Sequence, residues 1–174
     1  VVGAEKLTDF TDITDRSTAF LFADGAGAVL VESSASRGIH QVVWGSDGAR
    51  SGVIGHEDSW AASRDRPGYW PVMRMAGQEV FRWAISEVAP VAGEAVRAAG
   101  VSVGDLAAFV PHQANVRIID RIAGALRLPA DVVVSRDVEH SGNTSAASIP
   151  LALESLISAR RTPAGGLALL SGFG

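Results

Sequence analysis

Three short apolar runs near the end of the chain, LAAFV (106–110), DVVVS (131–135) and GLALLSG (166–172), alternate with segments of helical spacing. This alternation limits the fold more than any other feature. The first intervening segment, 114–127, repeats its apolar side chains at Val116, Ile119, Ala123 and Leu126 and stops before Pro129. The second, 145–160, reads SAASIPLALESLISAR and is also helical. Short buried strands separated by helices of this length build an α/β layer, with helices packed on a largely parallel sheet.

The upstream region is less regular. In STAFLFADGAGAVLVES an apolar run is interrupted by Asp24-Gly25-Ala26-Gly27, which suggests one or two strands with glycines where another backbone or a ligand comes close. Val29-Leu30-Val31 continues as strand rather than opening a helix, so the dinucleotide fingerprint fails. GIHQVVWGSDG reads as a further strand ending in a turn. Residues 46–70 form a polar, aperiodic stretch with four glycines and one proline, expected to be a long loop or lid. Helical spacing resumes over 76–99, where Pro90 should kink or divide the helix.

Three polar or glycine-rich turns fall at the carboxyl ends of the predicted strands, the edge where α/β folds place their sites. His112 follows the strand at 106–110 and precedes a helix, whose positive end disfavours imidazolium and keeps the ring a neutral donor. Asn143, after Gly142 and before a run of very small residues, lies between the second strand and the last helix. SGFG follows the third strand, with backbone N–H groups able to form an oxyanion hole. Each turn by itself also reads as a cap or a plain turn. Together they make a pocket with two neutral donors, suited to an enolate developing on a thioester carbonyl.

The totals narrow the field of functions. With 47% hydrophobic and 20% charged residues the chain has an ordinary globular composition, and no run is long enough to cross a membrane. A formal charge of -4 gives no general attraction to nucleic acid. Having no cysteine, it has no disulfide, no thiolate metal site and no thiol nucleophile. HEDSW at 56–60 has no second ligand cluster to make a metal site, and His40, His56 and His140 read as surface or turn residues. The missing initiator Met and the glycine-rich stop directly after a buried strand lead us to expect part of a longer protein.

VPHQANVRII, HSGNTSAASIP, FADGAGAVL and SGFG, with TDRSTAFLF and MAGQEVF, resemble β-ketoacyl-acyl carrier protein synthase III, a condensing enzyme of thiolase fold. The likeness spans nearly the whole chain except 46–70. It implies a mixed sheet with helices on its faces, forming the second half of a pseudo-duplicated architecture. Residues 1–36 would end the amino-terminal thiolase-like half, and 37–174 would be the carboxyl-terminal half without its last strand. It further implies a cytoplasmic homodimer that uses acyl-CoA as substrate, needs no cofactor, and has no nucleic-acid or membrane partner.

In this family a cysteine takes an acyl group from CoA, and malonyl-acyl carrier protein then loses carbon dioxide to give the attacking enolate. The resemblance assigns the enolate-stabilising donors to His112 and Asn143. It places the CoA arm on Arg16, Ser17, Gly77, Gln78, Phe81, Asn115 and Ile118, and the acyl pocket on Phe22, Met73, Met75, Ala114 and Phe173. Arg82 and Arg117 match docking positions for the acidic carrier protein, with Arg121 one turn further along the same helix face. The family nucleophile has no counterpart here, so the chain would depend on a Cys-bearing amino-terminal half and be inactive alone. Two alternatives stay open: an acyltransferase of the same fold acting on an alcohol or amine, and a non-catalytic partner subunit.

Overall fold

The computed structural model describes all 174 residues. Seven strands and six helices are present: β1 Val2–Lys6, β2 Asp24–Ala28, β3 Ile54–His56, α1 Trp60–Asp65, β4 Met73–Met75, α2 Gly77–Trp83, α3 Ala89–Ala98, β5 Leu106–Pro111, α4 Val116–Leu126, β6 Val133–Val134, α5 Val138–Ser141, α6 Ser148–Ser158 and β7 Leu167–Ser171. The chain is α/β as expected. Parallel and antiparallel pairing both occur, divided among three small sheets: β1–β2 and β3–β4 antiparallel, and β6–β5–β7 parallel.

The parallel sheet is the centre of the molecule. Phe109 packs on one face with Ile118 and Ile122 of α4 and Ala92 and Val96 of α3. On the other face Ala108 and Val110 meet Ala152 and Leu156 of α6. Side chains alternate along a strand, yet Leu106 shares the face of Phe109. An irregularity in the β5–β7 register between Leu106 and Ala108 accounts for the change of parity.

β1 and β2 form a ribbon whose inward face carries Gly3, Gly25 and Gly27 beside the single larger residue Glu5. Gly3 pairs with Gly27, and a Cβ on Gly3 would lie 2.7 Å from the Ala146 carbonyl carbon and oxygen. A Cβ on Gly25 or Gly27 would come within 2.8 Å of Thr144 or 2.7 Å of Pro150. The glycines expected to admit another backbone therefore admit the turn that carries Asn143.

Several expectations from the sequence need correction. GIHQVVWGSDG forms no strand: Ile39 and Trp44 are 66% and 86% exposed, and no neighbouring strand of the chain satisfies its backbone. After Val29, whose N–H donates to the Val1 carbonyl, the run through Val31 likewise leaves the ribbon. The stretch 46–70 is not one loop, since it contains β3 and α1; Ser59 caps α1 by accepting from the Ala61 N–H.

Helix 76–99 is continuous through Pro90 but contains a π-turn at Ala84–Val88, immediately before α3. Proline cannot donate to the preceding turn, and the wider π geometry accommodates it in the first turn of α3. The helix expected from 114 begins at Val116 because Asn115 caps it, its Oδ1 accepting from the Ile118 N–H at 3.0 Å. No helix is long and apolar enough to cross a membrane.

Candidate functional site

His112 is delivered by the end of β5. Its backbone N–H donates to the Ser171 carbonyl at 2.8 Å, so the turns after β5 and β7 are joined directly. Phe173 of the terminal SGFG packs edge-on against the imidazole, with centroids 5.1 Å apart and planes at 80°. Burial lowers the His112 pKa from 6.5 to about 4, so the ring is neutral at physiological pH. Its Nδ1 lies 2.7 Å from the hydroxyl of Ser148 at the start of α6.

Asn143 does not project from the end of β6, where the order of elements suggested it. The short helix α5 carries the chain onward, and the asparagine backbone is stitched into the segment before β2. The Ala23 N–H donates to the Asn143 carbonyl at 2.9 Å, and the Asn143 N–H donates to the Leu21 carbonyl at 3.2 Å. Its side-chain Oδ1 accepts from the Ser145 N–H at 3.0 Å, which leaves the amide NH2 as donor. To deliver that N–H, Ser145 adopts a left-handed backbone with φ 48°, a strained conformation stored beside the site. Gly142 also has positive φ, and a Cβ there would lie 2.8 Å from the Ala23 Cβ.

The fully buried Gln113 ties the end of β5 to the start of α5, the short helix that leads to Asn143. Its Nε2 donates to the Pro111 carbonyl at 2.7 Å, and its Oε1 accepts from the Val138 N–H at 3.0 Å. In the sequence Gln113 is legible only as part of the motif around His112, and nothing there marks Ser148. A glutamine directly after the histidine at the end of a buried strand is the one available signal. Its partner at 138 could not be found without the fold.

His112 and Asn143 line one cavity of about 620 Å3. Of the residues assigned to the acyl pocket, Phe22, Met75, Ala114 and Phe173 line the same cavity, whereas Met73 does not. Met73 and Met75 share the inward face of β4, with Arg74 between them facing outward. Of those assigned to the CoA arm, Gly77, Asn115 and Ile118 reach the cavity; Arg16, Ser17, Gln78 and Phe81 do not. Arg16 and Ser17 are exposed on the turn after Asp15. Ile118 serves the core as well, being only 3% exposed.

The remaining wall was only partly legible. Gly48, Arg50 and Val53, from the stretch expected to be a lid, border the cavity together with Trp44 and Trp83. Arg82, Arg117 and Arg121 are all exposed on α2 and α4, away from the cavity lining. The Arg117 guanidinium sits 5.4 Å from the centre of the Phe81 ring, which joins these two helices at the surface. A further ionic tether lies nearby: Arg74 reaches Asp12 at 3.0 Å and Glu57 at 3.0 Å, fastening the segment before Arg16 to the β3–β4 hairpin.

The chain as a whole is similar to proteins already known. Two family models match in order along the sequence: 3-oxoacyl-[acyl-carrier-protein] synthase III over residues 1–48, and its C-terminal model over 96–174. A β-ketoacyl-[acyl-carrier-protein] synthase III of Streptomyces glaucescens is 49% identical over the entire chain, and that of Streptomyces lividans 50%. The chain covers 53% and 52% of these relatives, and thus spans about half their length.

Among solved structures, the priming β-ketosynthase of the R1128 polyketide pathway superposes with a TM-score of 0.96 at 50% identity, all of this chain matching 52% of that one. The 3-oxoacyl-[acyl-carrier-protein] synthase III of Aquifex aeolicus does so with a TM-score of 0.85 at 37% identity, again over all of this chain and 53% of that one. The architecture is thiolase-like, and the chain belongs to the β-ketoacyl-acyl carrier protein synthase III family.

Proposed function

We propose that the chain supplies the enolate-stabilising donors of a decarboxylative Claisen condensation between an acyl-CoA primer and malonyl-acyl carrier protein. The observation that carries this reading is the pair His112 and Asn143 on one cavity, one a neutral imidazole and the other an amide whose oxygen is already committed. Both can donate to a single thioester oxygen. As the malonyl C–C bond breaks, its electron pair moves onto that carbonyl, carbon dioxide leaves, and the negative charge meets two preorganised N–H groups. The enolate carbon then attacks the acyl thioester, and the thiolate of a cysteine outside these residues departs.

Donors of this kind lower a barrier because they are in place before the charge develops, by roughly 3–4 kcal/mol each. Asn115, with its oxygen used in capping, has an amide NH2 free for the pantetheine arm, and Gly77 leaves room for it. The apolar wall of Phe22, Met75, Ala114 and Phe173 suits a short acyl chain. Exposed Arg82, Arg117 and Arg121 offer a local basic surface to an acidic carrier protein despite the net negative charge.

The test uses the full-length protein. His112→Ala and Asn143→Ala should each reduce malonyl decarboxylation by about 100-fold or more, while transfer of the acyl group from CoA to the cysteine continues. Loss of acylation in both variants with decarboxylation intact would assign the pair to a different step.

A further inference from the structure

The hydroxyl of Ser148 has a role that the site description leaves open. Ser148 is buried, 1% exposed, at the first position of α6. Its Oγ has two neighbours within hydrogen-bonding distance: His112 Nδ1 at 2.7 Å and the Gln113 backbone N–H at 3.3 Å. The Gln113 N–H can only donate, so Oγ accepts there. A serine hydroxyl carries one hydrogen, and in this buried position only His112 Nδ1 is available to receive it.

If Nδ1 held the imidazole proton instead, both contacts would donate to Oγ and the serine hydrogen would face no acceptor. A buried hydroxyl left in that state is unfavourable. The balanced arrangement has Ser148 O–H donating to a bare Nδ1. Nε2 then carries the proton of the neutral ring. We propose that Ser148 is a positioning residue that fixes the tautomer of His112, so that the imidazole presents Nε2–H to the cavity. This rests on the donor role given to His112 above, and it explains why the serine must be buried rather than merely cap α6. A solvated hydroxyl could exchange partners with water and would set no tautomer.

The experiment is nitrogen-15 NMR of the imidazoles in the full-length protein at neutral pH, with His112 assigned from the signal lost in His112→Ala. The expected wild-type spectrum shows a protonated Nε2 and an unprotonated, hydrogen-bonded Nδ1. In Ser148→Ala the Nδ1 signal should move toward the average of two exchanging tautomers, and malonyl decarboxylation should fall roughly tenfold or more. A wild-type ring protonated on Nδ1 would overturn the proposal without any variant. So would a Ser148→Ala ring that keeps the same tautomer as fully as before. Should the tautomer shift in Ser148→Ala while decarboxylation is unchanged, Ser148 keeps its role and the donor function of His112 falls.

Discussion

A buried neutral histidine makes the stability of the protein depend on pH over a definite range. The His112 pKa is lowered from 6.5 to about 4, so below pH 6.5 the unfolded chain takes up a proton at this position that the native ring refuses until about pH 4. Unfolding therefore gains protons across that range, and stability falls as the pH falls. The loss is at most about 3 kcal/mol, complete near the lower limit. His112→Gln removes the titration, so its melting temperature should drop less than that of the parent between pH 7 and pH 4.5. Equal drops would show that other groups dominate. His112 and Asn143 stood out in the sequence as polar groups set between apolar or very small residues, although Asn143 follows α5 and not a strand end. Their partners were hidden: Ser148 offers His112 a hydroxyl that only the fold turns inward, and Ser145 offers Asn143 a backbone N–H that any residue type carries.

Among the elements, the glycine-faced ribbon of β1 and β2 does the most to locate Asn143. Gly3→Ala should lower stability by about 1–3 kcal/mol, because the new methyl meets the backbone of Ala146, which has no rotamer to move. Gly38→Ala, at a position with open space around it, is the matched control and should leave the denaturation midpoint nearly unchanged. A small effect of both would mean that the turn at 144–147 can shift without loss. The ribbon was half visible in the sequence. GAG interrupting an apolar run announced a close approach, but β1 was not recognised, since VGAEK has little of the β-branched or aromatic character by which strands are read. The same local rules overcalled GIHQVVWGSDG, whose apolar alternation has no strand to pair with here.

At the scale of the whole molecule, several large apolar side chains are exposed. Leu30 and Trp44 are 92% and 86% exposed, and Ile13 is 85% exposed. Apolar groups clustered along 29–44 would ordinarily be covered. Expressed as these 174 residues alone, the chain should bind a hydrophobic dye such as ANS strongly and self-associate. Coexpression with the polypeptide that makes up the rest of its relatives' length should suppress both. Weak dye binding by a monomeric isolated chain would mean that the surface rearranges to cover itself. The α/β class was legible because the strand–helix alternation is local; the division into three sheets was not, because pairing depends on contacts between distant residues.

The π-turn carries a consequence for insertions and deletions. Ala84, Val88, Ala92 and Val96 are all buried, an unbroken four-residue repeat. In a uniform α-helix such a repeat drifts by about 40° per step, or about 120° over three steps, which would carry Val96 off the face that holds Ala84. One extra residue accommodated at Ala84–Val88 takes up about 100° of that drift. The helix thus has a phase, set by a single residue. Deleting Ile85 should restore plain α-helix and keep the two ends of the stripe in phase, since eleven steps turn about 20° past three full turns. Inserting one residue after Val88 should instead rotate them apart by about 100° and unfold the core, although no buried side chain has been removed. A substitution at the same exposed flank, Ser86→Ala, should be tolerated. In this segment the number of residues matters more than their identity.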